Sequence, residues 1–269
     1  MGGSQSFKMS YYLPREKVLM LHIPRTGGTW VRKALAAANS IKATGYNNTK
    51  PGWIARKHSL LAHLNRKAMS VVEFVCGFVR HPISYYESLW FYITATNQES
   101  GMYKKLNRWR TWQPFTTATM LYNDLHIENG EEDLFNDWMF CMLEKEPLWY
   151  TRLIEQYVGP SGGEFLDYIG RTETLERDFC EAMTIFGYGE EIEEATTRIS
   201  DIGKCNTSKE RLAKKQVKEK KVEWCPDIKA RVLETERQVI ARFYEDNFDR
   251  RKYCKLLGDD RGKYVWFPV

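Results

Sequence analysis

The chain has 269 residues, 43% of them hydrophobic, which is enough for one large α/β domain with a substantial core. Its formal net charge of +5 is small for a nucleic-acid binder but favours an anionic cofactor or acceptor. No apolar run is long enough to span a membrane, and no signal peptide is evident, which predicts a cytoplasmic protein. The six cysteines lack the CxxC spacing of a zinc site. We predict one domain, with residues 1–16 as an N-terminal extension.

The first informative stretch predicts a buried strand, a tight loop and a helix. The strand is the apolar run Lys17–Ile23, and a helical pattern begins near Thr29. Between them, Gly27 and Gly28 let the backbone approach a ligand closely. The unpaired amides and the positive dipole end of a helix N-terminus favour an anion such as phosphate or sulfate.

Side chains in this loop add to its capacity for an anion. Arg25 supplies a fixed positive charge, and Thr26 and Thr29 supply hydroxyl donors. The loop is not a Walker A motif, because Gly28 is followed by Thr29 instead of a Lys-Ser or Lys-Thr pair. Taken alone, the loop is equally compatible with an ordinary strand-to-helix turn.

A second strand-to-helix junction has a similar character. The β-branched run Val71–Val79 predicts a buried parallel strand, and Pro82 opens a helix just after it. Arg80 leaves the strand, and Ser88 follows eight residues later, one or two helical turns into the helix. A guanidinium and a hydroxyl at this spacing can hold a phosphate from two sides.

The two junctions, in this order, resemble the cofactor loops of sulfotransferases that use 3′-phosphoadenosine 5′-phosphosulfate (PAPS). The first loop is similar to the HIPKTGGTS loop of carbohydrate sulfotransferases and their bacterial relatives, with Arg25 in place of the lysine. The second matches the family's Arg, Pro and Ser spacing, but Tyr85 stands where many relatives have another Arg. The resemblance extends discontinuously from about residue 17 to residue 254. It implies a P-loop-like three-layer α/β sandwich with a central parallel sheet.

The resemblance also implies roles for individual residues. The 5′-phosphosulfate would be held by the first loop, residues Arg25, Thr26, Gly27, Gly28 and Thr29. Trp30 would stack on the adenine ring, and Arg80 with Ser88 would hold the 3′-phosphate. Arg25 would also stabilise the charge that develops on the bridging oxygen during transfer.

A histidine between the two loops would be the general base of such an enzyme. His58 is placed similarly to the base of the family, and a free imidazole has the near-neutral pKa that this role needs. A helix-capping or surface histidine is the alternative. His63 is the weaker candidate because it lies among apolar residues.

The remaining chain predicts a lid and further helices. Residues 94–130 are polar with scattered aromatics, which indicates either an acceptor-binding lid or a structural insertion that packs its aromatics inward. Helices are predicted at Glu132–Lys145, Leu148–Val158 and Pro226–Asn247, and a strand at Phe165–Ile169.

Two later segments resemble parts of the family's nucleotide site. Arg171 belongs to a stretch that resembles the family's G-R-x-E-x-L-x-x-D-F segment, so it would either contact the cofactor or pair with Glu173. Lys209 and Arg211 lie where relatives close a loop over the nucleotide, but their surroundings equally suit a solvated helix face or a lid.

The sequence therefore predicts a sulfotransferase that moves the sulfuryl group of PAPS to a hydroxyl, or an amine, of a carbohydrate or small-molecule acceptor. No metal is required, because the leaving group is already a stabilised phosphate anion. The alternatives are a nucleotide-dependent phosphotransferase and a non-catalytic module that binds an anionic polymer.

Overall fold

The structure is a computed structural model. It describes residues 11–13, 15, 17–38, 44–45, 72–97, 117–118, 120–122, 124–125, 134–158, 166–203 and 222–245.

Five strands form one mixed sheet in the order β3-β1-β2-β4-β5. They are β1 (Tyr11–Leu13), β2 (Val18–Met20), the two-residue β3 (Thr44–Gly45), β4 (Phe74–Val79) and β5 (Tyr168–Arg171). Strands β2, β4 and β5 are parallel, whereas β1 runs antiparallel to both β2 and β3. The predicted parallel sheet is thus found only on the β2-β4-β5 side.

The antiparallel part has a simple cause. Leu13 pairs with Val18, so only a short connection separates β1 from β2. A connection of that length allows a hairpin, while a parallel crossover needs a dozen residues or more. Residues 11–13, which the sequence predicts to lie in an N-terminal extension, are therefore a strand of the sheet.

Eight helices with both ends described accompany the sheet, and residues 117–118, 120–122 and 124–125 are also helical. The eight helices are α1 (Gly28–Ala37), α2 (Pro82–Asn97), α3 (Phe135–Lys145), α4 (Trp149–Val158), α5 (Leu175–Ile185), α6 (Gly189–Ser200), α7 (Pro226–Thr235) and α8 (Arg237–Phe243). A 3₁₀ turn, Thr172–Thr174, joins β5 to α5. Within the part of the chain that the structure describes, no helix combines the length and apolarity needed to cross a bilayer.

Alternating strand residues divide the core between the two faces of the sheet. Val18 and Met20 lie in one buried cluster with residues of α1, α5 and α6, such as Phe179. Leu19, between them, lies in the other cluster with residues of α2, α3, α4, α7 and α8, such as Trp138. Helices therefore cover both faces, which is the arrangement expected of an α/β domain.

A buried carboxylate fastens the C-terminal helices to the rest of the domain. Glu236, between α7 and α8, is fully buried. It accepts hydrogen bonds from the hydroxyls of Tyr86 (2.7 Å) and Thr151 (2.6 Å), and from the backbone N–H groups of Tyr150 (3.2 Å) and Thr151 (2.9 Å). These amides belong to the first turn of α4, so Glu236 caps that helix from a distant part of the chain. The predicted single helix Pro226–Asn247 is thus two helices that meet at this residue.

Candidate anion-binding site

The two predicted anion motifs lie at the same edge of the sheet. Met20 of β2 pairs with Cys76 of β4 in a parallel register, so both strands deliver their following loops to one side. The loops are in contact there, because Nη1 of Arg80 donates a hydrogen bond to the carbonyl of Arg25 at 3.2 Å. This edge, at the carboxyl ends of parallel strands, is where open α/β sheets commonly bind ligands.

Gly27 is required at the turn into α1 for two reasons. Its φ of 90° lies in the left-handed region, which a glycine adopts without steric cost. A Cβ at this position would also lie 2.4 Å from Cδ2 of Leu175, at the start of α5. The Gly27 carbonyl accepts the amides of Trp30 (2.8 Å) and Val31 (3.1 Å), which begins the helix.

The N-terminus of α1 keeps the properties that favour an anion. Gly27 provides no side-chain cap, and the first turn holds no acidic residue. The positive end of the helix dipole is therefore not compensated by a carboxylate of that turn. Thr26 is turned inward: it is 3% exposed, and its hydroxyl donates to the carbonyl of Ile23 at 2.7 Å. Its side chain stabilises the loop in this conformation, so the predicted hydroxyl donor is already in use.

Arg25 joins the first motif to the second. Its Nε and Nη2 donate to the hydroxyl of Ser88 at 3.0 and 2.6 Å, and Nη2 also donates to the Ser88 carbonyl at 2.9 Å. The guanidinium lies 5.1 Å from the ring centroid of Tyr92. Arg25 has a φ of 68°, a conformation that costs a non-glycine residue about 1–3 kcal/mol. This cost is compatible with a backbone held in place for a functional reason.

Arg80 is fixed through its backbone and keeps a charged side chain in the site. Its N–H donates to the hydroxyl of Tyr150 at 3.1 Å, and its carbonyl accepts from the same hydroxyl. Its Nε donates to the hydroxyl of Ser84 at 3.2 Å. Among the described residues, the guanidinium thus contacts hydroxyl and carbonyl oxygens and no carboxylate. Its positive charge remains available to an anionic ligand.

Glu173 organises a polar network beside Arg80 that no motif of the sequence predicts. It accepts hydrogen bonds from the His81 N–H (2.9 Å), the Ser84 hydroxyl (3.0 Å) and the Tyr244 hydroxyl (3.0 Å). The rings of His81 and Tyr244 meet edge to face, with centroids 5.0 Å apart. Burial lowers the pKa of His81 and raises that of Tyr244. The network holds the backbone after Arg80 against the C-terminal end of α8.

Arg171 is anchored at the end of β5, where it pairs with Val79 of β4. Its Nε donates to the carbonyl of Phe243 at 2.7 Å, and its guanidinium lies 5.0 Å from the ring centroid of Tyr244. Its N–H donates to the Asp178 carboxylate at 2.7 Å. The neighbouring Gly170 leaves room for Phe78, whose ring would lie 2.5 Å from an added Cβ. These contacts give Arg171 a clear structural part at the end of β5.

Trp30 does not fit its predicted place at the nucleotide. It is 7% exposed and packs edge to face on Phe179, with ring centroids 5.5 Å apart and an interplanar angle of 83°. The buried face of α1 includes Trp30, Val31 and Ala34, so the indole belongs to the core between α1 and α5. We therefore correct the role of Trp30 from adenine stacking to core packing.

Other predicted site residues are only partly covered by the structure. His58, His63, Lys209 and Arg211 lie outside the described residues. Within the predicted lid, Tyr122 packs against Trp90 with ring centroids 5.2 Å apart, so this part of the segment points inward. The described residues include no group of three His, Cys, Asp or Glu side chains placed to hold a metal ion.

Comparison with protein-family models, with curated proteins and with solved structures finds no match for this chain.

Proposed function

We propose that this protein is a PAPS-dependent sulfotransferase with a P-loop-like three-layer sandwich. The observation that carries the proposal is the direct contact between its two anion motifs. Arg25 of the first loop is hydrogen-bonded to Ser88 of the second, and Arg80 of the second is hydrogen-bonded to the backbone of the first. A nucleotide with anionic groups at both its 5′ and 3′ ends needs such a pair of adjoining sites.

The residues at this edge of the sheet suit the groups of the nucleotide. The uncapped first turn of α1 and Arg25 would hold the 5′-phosphosulfate, through backbone amides and a fixed charge. Arg80 would hold the 3′-phosphate, since its guanidinium is not neutralised by a described carboxylate. The hydroxyl of Ser88 accepts hydrogen bonds from Arg25 and would donate its proton to the 3′-phosphate.

Charged and titratable side chains of the protein would assist the transfer of the sulfuryl group. PAPS supplies a sulfuryl group bonded to a good leaving group, a phosphate anion, for in-line transfer to an acceptor hydroxyl or amine. Arg25 stabilises the negative charge that develops as that bond breaks, and its contacts with Ser88 orient the guanidinium beforehand. His58 accepts the proton of the acceptor, a carbohydrate or small molecule.

Calorimetric titration with 3′-phosphoadenosine 5′-phosphate (PAP), the product nucleotide, tests the proposal. The protein is titrated without metal with PAP, 5′-AMP and ATP in parallel. We expect micromolar binding of PAP and much weaker binding of 5′-AMP. Equal affinities for PAP and 5′-AMP would refute the proposal, and turnover of ATP with magnesium would indicate a phosphotransferase instead.

Replacing Arg80 by alanine should weaken PAP binding about 10- to 100-fold, because a hydrogen bond to a charged group contributes about 1.5–3 kcal/mol. Binding of 5′-AMP, which has no 3′-phosphate, should change much less. Arg237→Ala is the matched control, since Arg237 is an exposed arginine paired with Glu234 on the surface. Equal losses for PAP and 5′-AMP would show that Arg80 has no role at the 3′-phosphate.

Replacing His58 by alanine should lower the turnover number on the order of 10²-fold, the usual effect of removing a general base. Binding of PAP should stay unchanged, because the base acts on the acceptor. His63→Ala is the matched control and should keep wild-type turnover. The assignment of the base is wrong if His58→Ala remains fully active.

A further inference from the structure

His22 lies directly beneath the first residue of α1. A Cβ built on Gly28 would lie 2.2 Å from Cε1, 2.3 Å from Nδ1 and 2.8 Å from Nε2 of the His22 imidazole. Real Cβ atoms are not found so close to a neighbouring atom, so the ring occupies the space that any other residue at position 28 would need. His22 and Gly28 are therefore a matched pair in which the ring requires the glycine.

The ring of His22 is buried where the sheet, the first loop and α1 meet. The imidazole lines a small cavity together with Tyr11, Met20, Thr26, Val31 and Phe78, which belong to the sheet, the loop and α1.

The ring is also uncharged under ordinary conditions. Burial of the imidazole and the positive charge of Arg25 lower the pKa of His22 to about 4. It is thus neutral at pH 7 and does not compete with Arg25 for an anion.

We infer that His22 is a positioning residue, whose ring supports Gly28 and thereby holds the amides of the first turn of α1 in place for an anionic group. The inference rests on the proposed function, since it concerns the 5′-phosphosulfate end of the same site. Anion-binding amides need accurate placement, because a misplacement of about 1 Å can cost on the order of 10²-fold in activity. Arg25, three residues after His22, has its own anchor on Ser88, but Gly28 has only a hydrogen atom facing the ring.

The test is a set of substitutions read out by the dissociation constant of PAP. The proteins compared are the wild type, His22→Ala, His22→Phe, Gly28→Ala and the double variant His22→Ala with Gly28→Ala. Thermal unfolding is measured for each, so that loss of binding is separated from loss of folding.

We expect His22→Ala to weaken PAP binding about tenfold and His22→Phe, which keeps a flat ring, to stay within about threefold of the wild type. Gly28→Ala should bind weakly or not at all. The double variant should bind PAP at least about tenfold more tightly than Gly28→Ala, because removing the ring makes room for the methyl group. This recovery would show that the ring and position 28 are in direct contact, and the loss of PAP affinity in His22→Ala but not in His22→Phe would show that the ring positions the amides.

Two results would overturn the inference. One is that His22→Ala binds PAP as tightly as the wild type. The other is that the double variant loses PAP affinity by the product of the factors lost in the two single variants. If Gly28→Ala does not fold, the comparison of His22→Ala with His22→Phe decides the matter by itself. If the wild-type protein does not prefer PAP over 5′-AMP, the proposed function and this inference are refuted together. If the wild type has that preference but the losses of PAP affinity in the variants multiply, only the inference is refuted.

Discussion

Replacing Glu236 by alanine should lower the free energy of unfolding by about 3 kcal/mol or more. The substitution removes the acceptor for two hydroxyls and two backbone amides, all of them in the core. A buried polar group left without a partner costs about 1–3 kcal/mol, so several such groups exceed the effect of an ordinary core substitution. Urea unfolding followed by circular dichroism gives the free energy directly.

Two further variants distinguish this role from a general effect of losing charge. Glu236→Gln keeps one acceptor oxygen and should lose less stability than Glu236→Ala. Glu234→Ala removes an exposed carboxylate from α7 and should change the free energy of unfolding by less than about 0.5 kcal/mol. A loss below about 1 kcal/mol for Glu236→Ala would contradict the capping role.

The connection from Glu236 to the candidate site passes through Tyr150. Its amide is held by Glu236, and its hydroxyl is bonded to both backbone groups of Arg80. The C-terminal helices therefore contribute to the placement of the second anion motif, although they are far from it in sequence. Weaker binding of PAP by Glu236→Ala, in the fraction that remains folded, would follow from the same connection.

The parts of the fold that the sequence predicts well are those determined locally. The run Val71–Val79 contains β4, and Pro82 begins α2 as predicted. The apolar run before Pro24 contains β2, and α1 starts at Gly28, next to the predicted start at Thr29. Apolar runs, prolines and glycines act within a few residues, so one sequence is sufficient to read them.

The parts that the sequence does not predict depend on distant partners. In the sequence, Glu236 cannot be distinguished from the other charged residues of an amphipathic helix. Its hydrogen-bond partners Tyr86 and Thr151 are 150 and 85 residues away. The resemblance to sulfotransferases predicts that Trp30 binds the adenine ring, but in the structure Trp30 packs on Phe179 of α5. In each case tertiary packing decides the role of the side chain.

Replacing Arg25 by alanine should lower the turnover number for sulfuryl transfer about 10²- to 10³-fold, on the proposed function. This is the typical loss when one preorganised donor to a developing negative charge is removed. Alanine would occupy the same left-handed backbone conformation as Arg25, so the substitution leaves the strain of the loop largely as it is. A radiolabelled transfer assay with PAPS and an accepted acceptor measures the rate.

Arg25→Lys and Ser88→Ala separate the charge of Arg25 from its orientation. Lysine keeps the charge but cannot contact the hydroxyl and the carbonyl of Ser88 together, so we expect about a tenfold loss in turnover. Ser88→Ala removes the hydroxyl but leaves the Ser88 carbonyl, which still holds Nη2 of Arg25, so its loss should be similar or smaller. If Arg25→Ala and Arg25→Lys are equally impaired, the orientation of the guanidinium matters more than its charge. If neither is impaired, the charge that develops in the transition state is stabilised elsewhere and Arg25 serves only to join the two loops.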